Sequence, residues 1–251
     1  GGSFFIGFLA GPYFASLYSF KSLFILLLAF GIIATFITFL YYPNDLKQSK
    51  KVSKISFKYN NKLVQIYLGS FFLSLILSIM LYVFPLIWRD LGTLNEDLFS
   101  TYLKIFLPAA IIIYPSIRFF EKIKKVNIAI NLGWFFLIVA FLAYILLPSN
   151  IYSFYSLGIL FFLGSSVFQS LLPSLLSLNV SSDLRATGNG PFYIMNFLGH
   201  AVGSIFAGAI YMKDFYFGFD KNFLICIICI LLIALWVSIG LPKYSIKENS
   251  Q

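Results

Sequence analysis

The sequence predicts an all-α, polytopic membrane protein, and three observations carry that prediction. Of 251 residues, 60% are hydrophobic and only 11% are charged, which leaves too little polar surface to keep a chain of this length dispersed in water. Phe and Tyr alone number 31 and 16, and the mean hydropathy is +0.90. The apolar residues gather into runs long enough to cross roughly 30 Å of hydrocarbon, which takes about 20 helical residues at about 1.5 Å each. The charged residues fall in short clusters between those runs.

Eight segments meet the length requirement: residues 3–18, 22–41, 63–87, 101–117, 126–147, 153–178, 188–212 and 223–241. The first is short, as a truncated segment would be, and the chain opens on Gly1, which reads as a cut end with no cleavable leader. In the fourth, Lys104 is expected to snorkel outward. In the eighth, Cys226 and Cys229 sit in the run FLICIICILLIALW, where two small apolar residues are a better reading than a disulfide or a metal site. The net charge of +9 forms no basic face with interleaved aromatics, so nucleic-acid binding is excluded as a reading. No cofactor or metal is implied.

Basic residues stay on the cytoplasmic side because moving them across the bilayer during insertion is unfavourable. One set of loops holds thirteen of the 18 cations: Lys47, Lys50, Lys51, Lys54, Lys58 and Lys62, then Arg118, Lys122, Lys124 and Lys125, then Arg185, then Lys243 and Lys247. Five remain on the other side, at Lys21, Arg89, Lys104, Lys213 and Lys221. Both termini and the longest loop, residues 42–62, are therefore expected in the cytoplasm of a cell (cytoplasmic or inner) membrane.

That basic loop divides the chain into two spans before it and six after it. The first pair of spans aligns with the last pair: Gly7, Gly11, Pro12, Phe14 and Ala15 fall on Gly199, Gly203, Ser204, Phe206 and Ala207 at a constant offset of about 192 residues, and each pair ends in proline, at Pro43 and Pro242. If the closing pair completes a six-helix unit, the opening pair completes another, of which the first four helices precede Gly1. Small residues spaced by three or four recur in many membrane helices, and ordinary packing explains the same glycines.

With these features the chain resembles the major facilitator superfamily, whose twelve helices form two six-helix halves joined by a long basic loop. The resemblance implies the following organisation: residues 1–41 as helices five and six, 42–62 as the central loop, 63–242 as helices seven to twelve, and 243–251 as a cytoplasmic tail. Eight of twelve helices would then be present. Gly7-x-x-x-Gly11-Pro12, followed by Ala15 and Ser16, is similar to the fifth-helix motif of drug:proton antiporters. Residues 171–190, LLPSLLSLNVSSDLRATGNG, are similar to the YajR-type branch. The Gly-x-x-x-Asp-Arg turn that identifies the family best belongs to helices that this chain lacks.

Candidate functional residues concentrate in the seventh span. Asn189, Tyr193, Asn196, His200 and Ser204 recur every three or four residues and form one narrow helical stripe. Polar side chains facing lipid are unfavourable, so the stripe is expected to face a helix or a water-filled cavity near the midplane. His200 is the single histidine and the one ionisable residue deep in a span. Two readings stand: it binds solute or accepts a proton, or it is a neutral side chain hydrogen-bonded between helices. Gly199 and Gly203 beside it give a neighbour room to approach, as Gly7, Gly11 and Pro12 do in the first span.

Two further spans carry matching polar faces, one with Ser166, Gln169, Pro173 and Ser177, the other with Tyr67, Ser70, Ser74, Ser78 and Tyr82. The resemblance implies that these line the central cavity as helices ten and seven. Serines also bond back to their own helix, which accounts for individual members. Arg118 with Glu121, and Asp183 with Arg185, are expected to form a charged cytoplasmic gate, although exposed pairs contribute only about 0–1 kcal/mol. No Asp or Glu lies within a span.

The function expected from this resemblance is secondary transport of a small solute by alternating access, with protons as a possible coupling partner, in the direction of efflux. Uptake by a related facilitator is the rival within the fold. A membrane-embedded enzyme is the rival of another class, and it lacks the paired carboxylates or H-E-x-x-H spacing that such chemistry needs. A third reading is that the chain alone is an inactive fragment.

Overall fold

The structure is a computed structural model, and it describes residues 11, 13–14, 17–41, 60–91, 100–101, 103–105, 107–108, 111, 126–148, 150–181, 184–211 and 221–241. The described residues form six long helices: α1 (Phe20–Tyr41), α2 (Asn61–Asp90), α3 (Val126–Leu146), α4 (Ile151–Asn179), α5 (Arg185–Tyr211) and α6 (Lys221–Ile239). Each is long and apolar enough to cross a membrane. The expected count of eight is not matched, because the spans at 3–18 and 101–117 fall largely outside the described residues. The chain divides into two compact units, one of Gly1–Ser56 with Leu98–Tyr102 and one of Phe57–Asp97 with Leu103–Gln251.

In the first unit, α1 carries no Asp or Glu in its first turn and no basic residue in its last. Its side chains are almost all exposed, from Phe24 to Tyr41. Thr35 and Thr38 satisfy their hydroxyls within the helix, donating to the carbonyls of Gly31 and Ala34 at 2.8 Å. An apolar helix that internalises its polar atoms is suited to a hydrocarbon surround.

In the second unit, helix starts are fixed by asparagine caps. The Asn60 side chain accepts from the backbone N–H groups of Lys62 and Leu63 ahead of α2, and Asn150 accepts from Tyr152 and Ser153 ahead of α4. Ser153 returns a bond from the Asn150 N–H, completing a capping box. The expected boundaries therefore move outward by two residues at both N-termini.

Helix directions follow from which residues meet. Phe84 of α2 packs on Phe154 and Phe161 of α4, while a Cβ at Gly69, about four turns earlier, would touch Leu172. Trp134 of α3 packs on Phe168, and Phe141 on Phe161. Both α2 and α3 thus run antiparallel to α4 and parallel to each other. The chain leaves α2 at one end of the bundle and enters α3 at the opposite end. Among the few described residues between, Ile105 lies against Gly158 of α4.

The core is aromatic. Trp236 of α6, Trp134 and Phe168 form a three-ring cluster with centroids 4.2–4.8 Å apart, and Trp236 and Phe168 are fully buried. Gly133 and Gly164 bring α3 and α4 together, since a Cβ on Gly164 would lie 2.9 Å from the Gly133 carbonyl oxygen.

Candidate functional site

The α2–α5 interface brings together six of the polar side chains that the sequence singles out, arranged as a ladder. Tyr67 Oη donates to the Gly188 carbonyl at 3.0 Å, and Ser70 Oγ to the Phe192 carbonyl at 3.4 Å. One turn further, Asn196 Nδ2 donates to Ser74 Oγ at 2.6 Å, and then Ser78 Oγ and His200 Nδ1 are 2.6 Å apart. Partners ascend together along both helices, so α2 and α5 run in the same direction. Hydroxyls every three or four residues on α2 meet acceptors or side chains at the same period on α5, which is the geometry that two parallel helices require.

Gly199 and Gly203 make this approach possible. A Cβ on Gly199 would collide with the Phe71 carbonyl oxygen and lie 3.0 Å from Ser74 Cβ; one on Gly203 would collide with the Leu75 carbonyl oxygen and lie 3.0 Å from Ser78 Cβ. Both glycines are buried, with Phe192, Ala207 and Ile210 on the same face of α5. A Cβ on Gly208 or Gly190 would meet nothing within 4 Å among the described residues.

The expected single stripe on α5 divides. Asn196 and His200, its inner members, turn to α2 and are half-buried, while Asn189, Tyr193 and Ser204 are exposed. At about 100° per residue these five span a sector on the flank of the glycine face, so the interface takes one edge and leaves the other open. Tyr82 likewise leaves the α2 seam, 41% exposed, and its ring stands edge-on to Tyr211 at 6.1 Å.

On α4, Ser166 and Gln169 lie one turn apart. Ser166 Oγ and Gln169 Nε2 are buried without a hydrogen-bond partner among the described residues. Polar atoms left in this state are costly, and each is available to a water or a solute. Pro173 and Ser177 continue that face outward and are exposed; Ser177 bonds back to the Ser174 carbonyl at 2.9 Å.

Of the other expected site residues, Gly7, Pro12, Arg118, Glu121 and Asp183 lie outside the described residues. Gly11 is described, and a Cβ there would meet nothing within 4 Å among the described residues. Arg185 opens α5 and is exposed. The ion pair among the described residues is Arg89 with its neighbour Asp90, 3.1 Å apart and exposed.

Tyr211, Asn222 and Lys221 were not singled out as site residues by sequence. Tyr211 donates its hydroxyl to the Asn222 side-chain carbonyl, and Lys221 Nζ donates to the Tyr211 carbonyl at 3.3 Å, tying the end of α5 to the start of α6. The available signal was the period of the α2 hydroxyls, which continues through Tyr82 to this cluster. Gly188 and Phe192 join the ladder through carbonyls, which no side-chain pattern announces.

A family model described as Major Facilitator Superfamily matches residues 1–204. No curated protein matches the chain.

Proposed function

Because the chain belongs to the major facilitator superfamily and is a multi-pass membrane protein of transporter type, we propose that it moves a small solute across the cell membrane by alternating access, along a pathway bordered by α2, α4 and α5. The family match over residues 1–204 carries the transport reading. The pathway assignment is supported by the open flank of Asn189, Tyr193 and Ser204, by the half-buried Asn196 and His200 at the edge of the seam, and by Ser166 Oγ and Gln169 Nε2, which have no hydrogen-bond partner among the described residues. Such groups are retained in apolar helices where a solute or water meets them.

The proposed solute is small and apolar or amphipathic, since the same surfaces are rich in exposed Ile, Leu, Phe and Tyr. Export driven by protons is the proposed direction, on the similarity of Gly7-x-x-x-Gly11-Pro12 to the antiporter motif and of residues 171–190 to the YajR-type branch. Both termini and the 42–62 loop are proposed to be cytoplasmic, with Arg118, Glu121, Asp183 and Arg185 at that mouth.

Reconstitution into vesicles tests this. The protein, expressed from its complete coding sequence, is incorporated with a pH-sensitive dye inside, a proton gradient is imposed, and amphipathic compounds are added one at a time. The reading expects compound-dependent proton movement that His200→Ala and Asn196→Ala reduce at least about tenfold, the loss expected when a pathway hydrogen bond is removed. Compound flux that leaves the gradient untouched would overturn proton coupling, and flux unaltered in both variants would overturn the pathway.

A further inference from the structure

The hydrogen bond between Ser78 and His200 has a direction, and the direction decides which ring nitrogen is left to work. At two rungs of the ladder the sense is unambiguous, since a carbonyl only accepts: Tyr67 and Ser70 donate from α2 to α5. Ser74 has the opposite sense, because the Asn196 amide donates to it. Ser78 is 7% exposed, and its hydroxyl has one partner among the described residues, His200 Nδ1 at 2.6 Å. If Nδ1–H donated to Ser78, the serine proton would be buried with no acceptor; if Ser78 donates to the Nδ1 lone pair, that proton is satisfied.

A neutral imidazole has one N–H. With the Nδ1 lone pair engaged by Ser78, the proton sits on Nε2, at the far edge of the ring from α2. Among the described residues, the helices of the second unit bring no charged side chain to the middle of the seam: α2 has none between Lys62 and Arg89, α5 none after Arg185, and α3, α4 and α6 none after their first residue.

We infer that Ser78 holds His200 as the neutral Nε2–H tautomer, so that His200 offers the pathway a hydrogen-bond donor and selects solutes that present an acceptor, such as a carbonyl, ether or hydroxyl oxygen. Ser78 is then a positioning residue, acting through the ring it orients. Asn196, which uses one of its two amide N–H groups on Ser74, keeps its side-chain carbonyl one turn away as an acceptor. This pairing of one donor and one acceptor rests on the pathway proposed above; the tautomer does not.

Because the chain has a single histidine, nitrogen NMR of the protein labelled with 15N in its imidazole, in lipid at pH 7 and purified through a histidine-free tag, reads the tautomer directly. The expected spectrum has Nδ1 unprotonated and Nε2 protonated, by a margin of about tenfold from one hydrogen bond of ordinary strength. Ser78→Thr keeps that pattern, and Ser78→Ala relaxes it toward a mixture. A wild-type spectrum with Nδ1 protonated, or with both nitrogens protonated, overturns the inference, and so does a Ser78→Ala spectrum that matches wild type. Should Ser78→Ala fail to fold, the wild-type spectrum and Ser78→Thr decide. The measurement needs no solute, so it stands apart from the vesicle assay: a correct tautomer in an inert protein overturns the transport reading alone.

Discussion

Adding a single methyl group at Gly203 probes the α2–α5 seam most sharply. The Cβ of Gly203→Ala would overlap the Leu75 carbonyl oxygen and sit 3.0 Å from Ser78 Cβ and 3.1 Å from the Leu75 carbonyl carbon. All three are backbone or backbone-adjacent atoms that cannot rotate away, so the helices must separate, by on the order of 1 Å, to restore ordinary contact. Separation stretches the 2.6 Å bonds at Asn196–Ser74 and Ser78–His200 to about 3.6 Å, beyond useful hydrogen-bonding range. Two lost bonds cost about 1 kcal/mol each, and overpacking strain adds about 1–3 kcal/mol. The better helix propensity of Ala returns about 1 kcal/mol. The net expectation is a loss of about 2–4 kcal/mol. Gly208→Ala is the matched control, because a Cβ there meets nothing within 4 Å, and it should be neutral or slightly stabilising. Cys226 and Cys229, the two cysteines of the chain, are buried thiols, so a dye that fluoresces on thiol reaction reports unfolding during heating in detergent. At about 2–4 °C per kcal/mol for a chain of this size, Gly203→Ala should melt several degrees below both wild type and Gly208→Ala. A melting point equal to that of the control would refute the reasoning about close approach.

Three other outcomes follow from the same structure. Asn150→Ala removes the cap that accepts from Tyr152 and Ser153 and should cost about 1 kcal/mol, read in the same melt; Asn150→Asp should retain most of it. Ser166→Ala deletes a buried hydroxyl with no described partner, so stability should hold or rise by up to about 1 kcal/mol while flux in vesicles falls; a fall in both would assign Ser166 a purely structural role. In a Cys226→Ala, Cys229→Ala background, Ser53→Cys should react with a membrane-impermeant maleimide only in inside-out vesicles and Thr93→Cys only in right-side-out ones, and the reverse result would invert the proposed orientation.

The positions of the six described helices were legible in the sequence to within three residues, from 22–41 against Phe20–Tyr41 to 188–212 against Arg185–Tyr211, because apolar length alone dictates a span in lipid. Caps at Asn60 and Asn150 moved two boundaries, which a reading by apolar length alone does not place. Partner choice was less legible. The α2 hydroxyls and the α5 stripe share a period, yet nothing in either pattern says that they bond to each other across a separation of 121 or 122 residues. The stripe on α5 also looked uniform in sequence, whereas Asn196 and His200 are drawn into the seam and Tyr193 is left 55% exposed. That division depends on which side Gly199 and Gly203 present to α2, a fact of packing and not of periodicity. For Gly11 the same small-residue logic found no neighbour among the described residues, since a glycine permits an approach without supplying the partner.

The ladder also sets a clock on biosynthesis. Tyr67, Ser70, Ser74 and Ser78 emerge from the ribosome about 120 residues before the groups that bond them. At roughly 5–20 residues per second that is a wait on the order of ten seconds, during which newly inserted α2 shows three serines and a tyrosine to whatever surrounds it. A chaperoning surface in the insertion machinery, or a temporary pairing with earlier-made helices, has to shelter that hydroxyl edge until α5 arrives, and late arrival would leave α2 open to pairing with the wrong nascent chain.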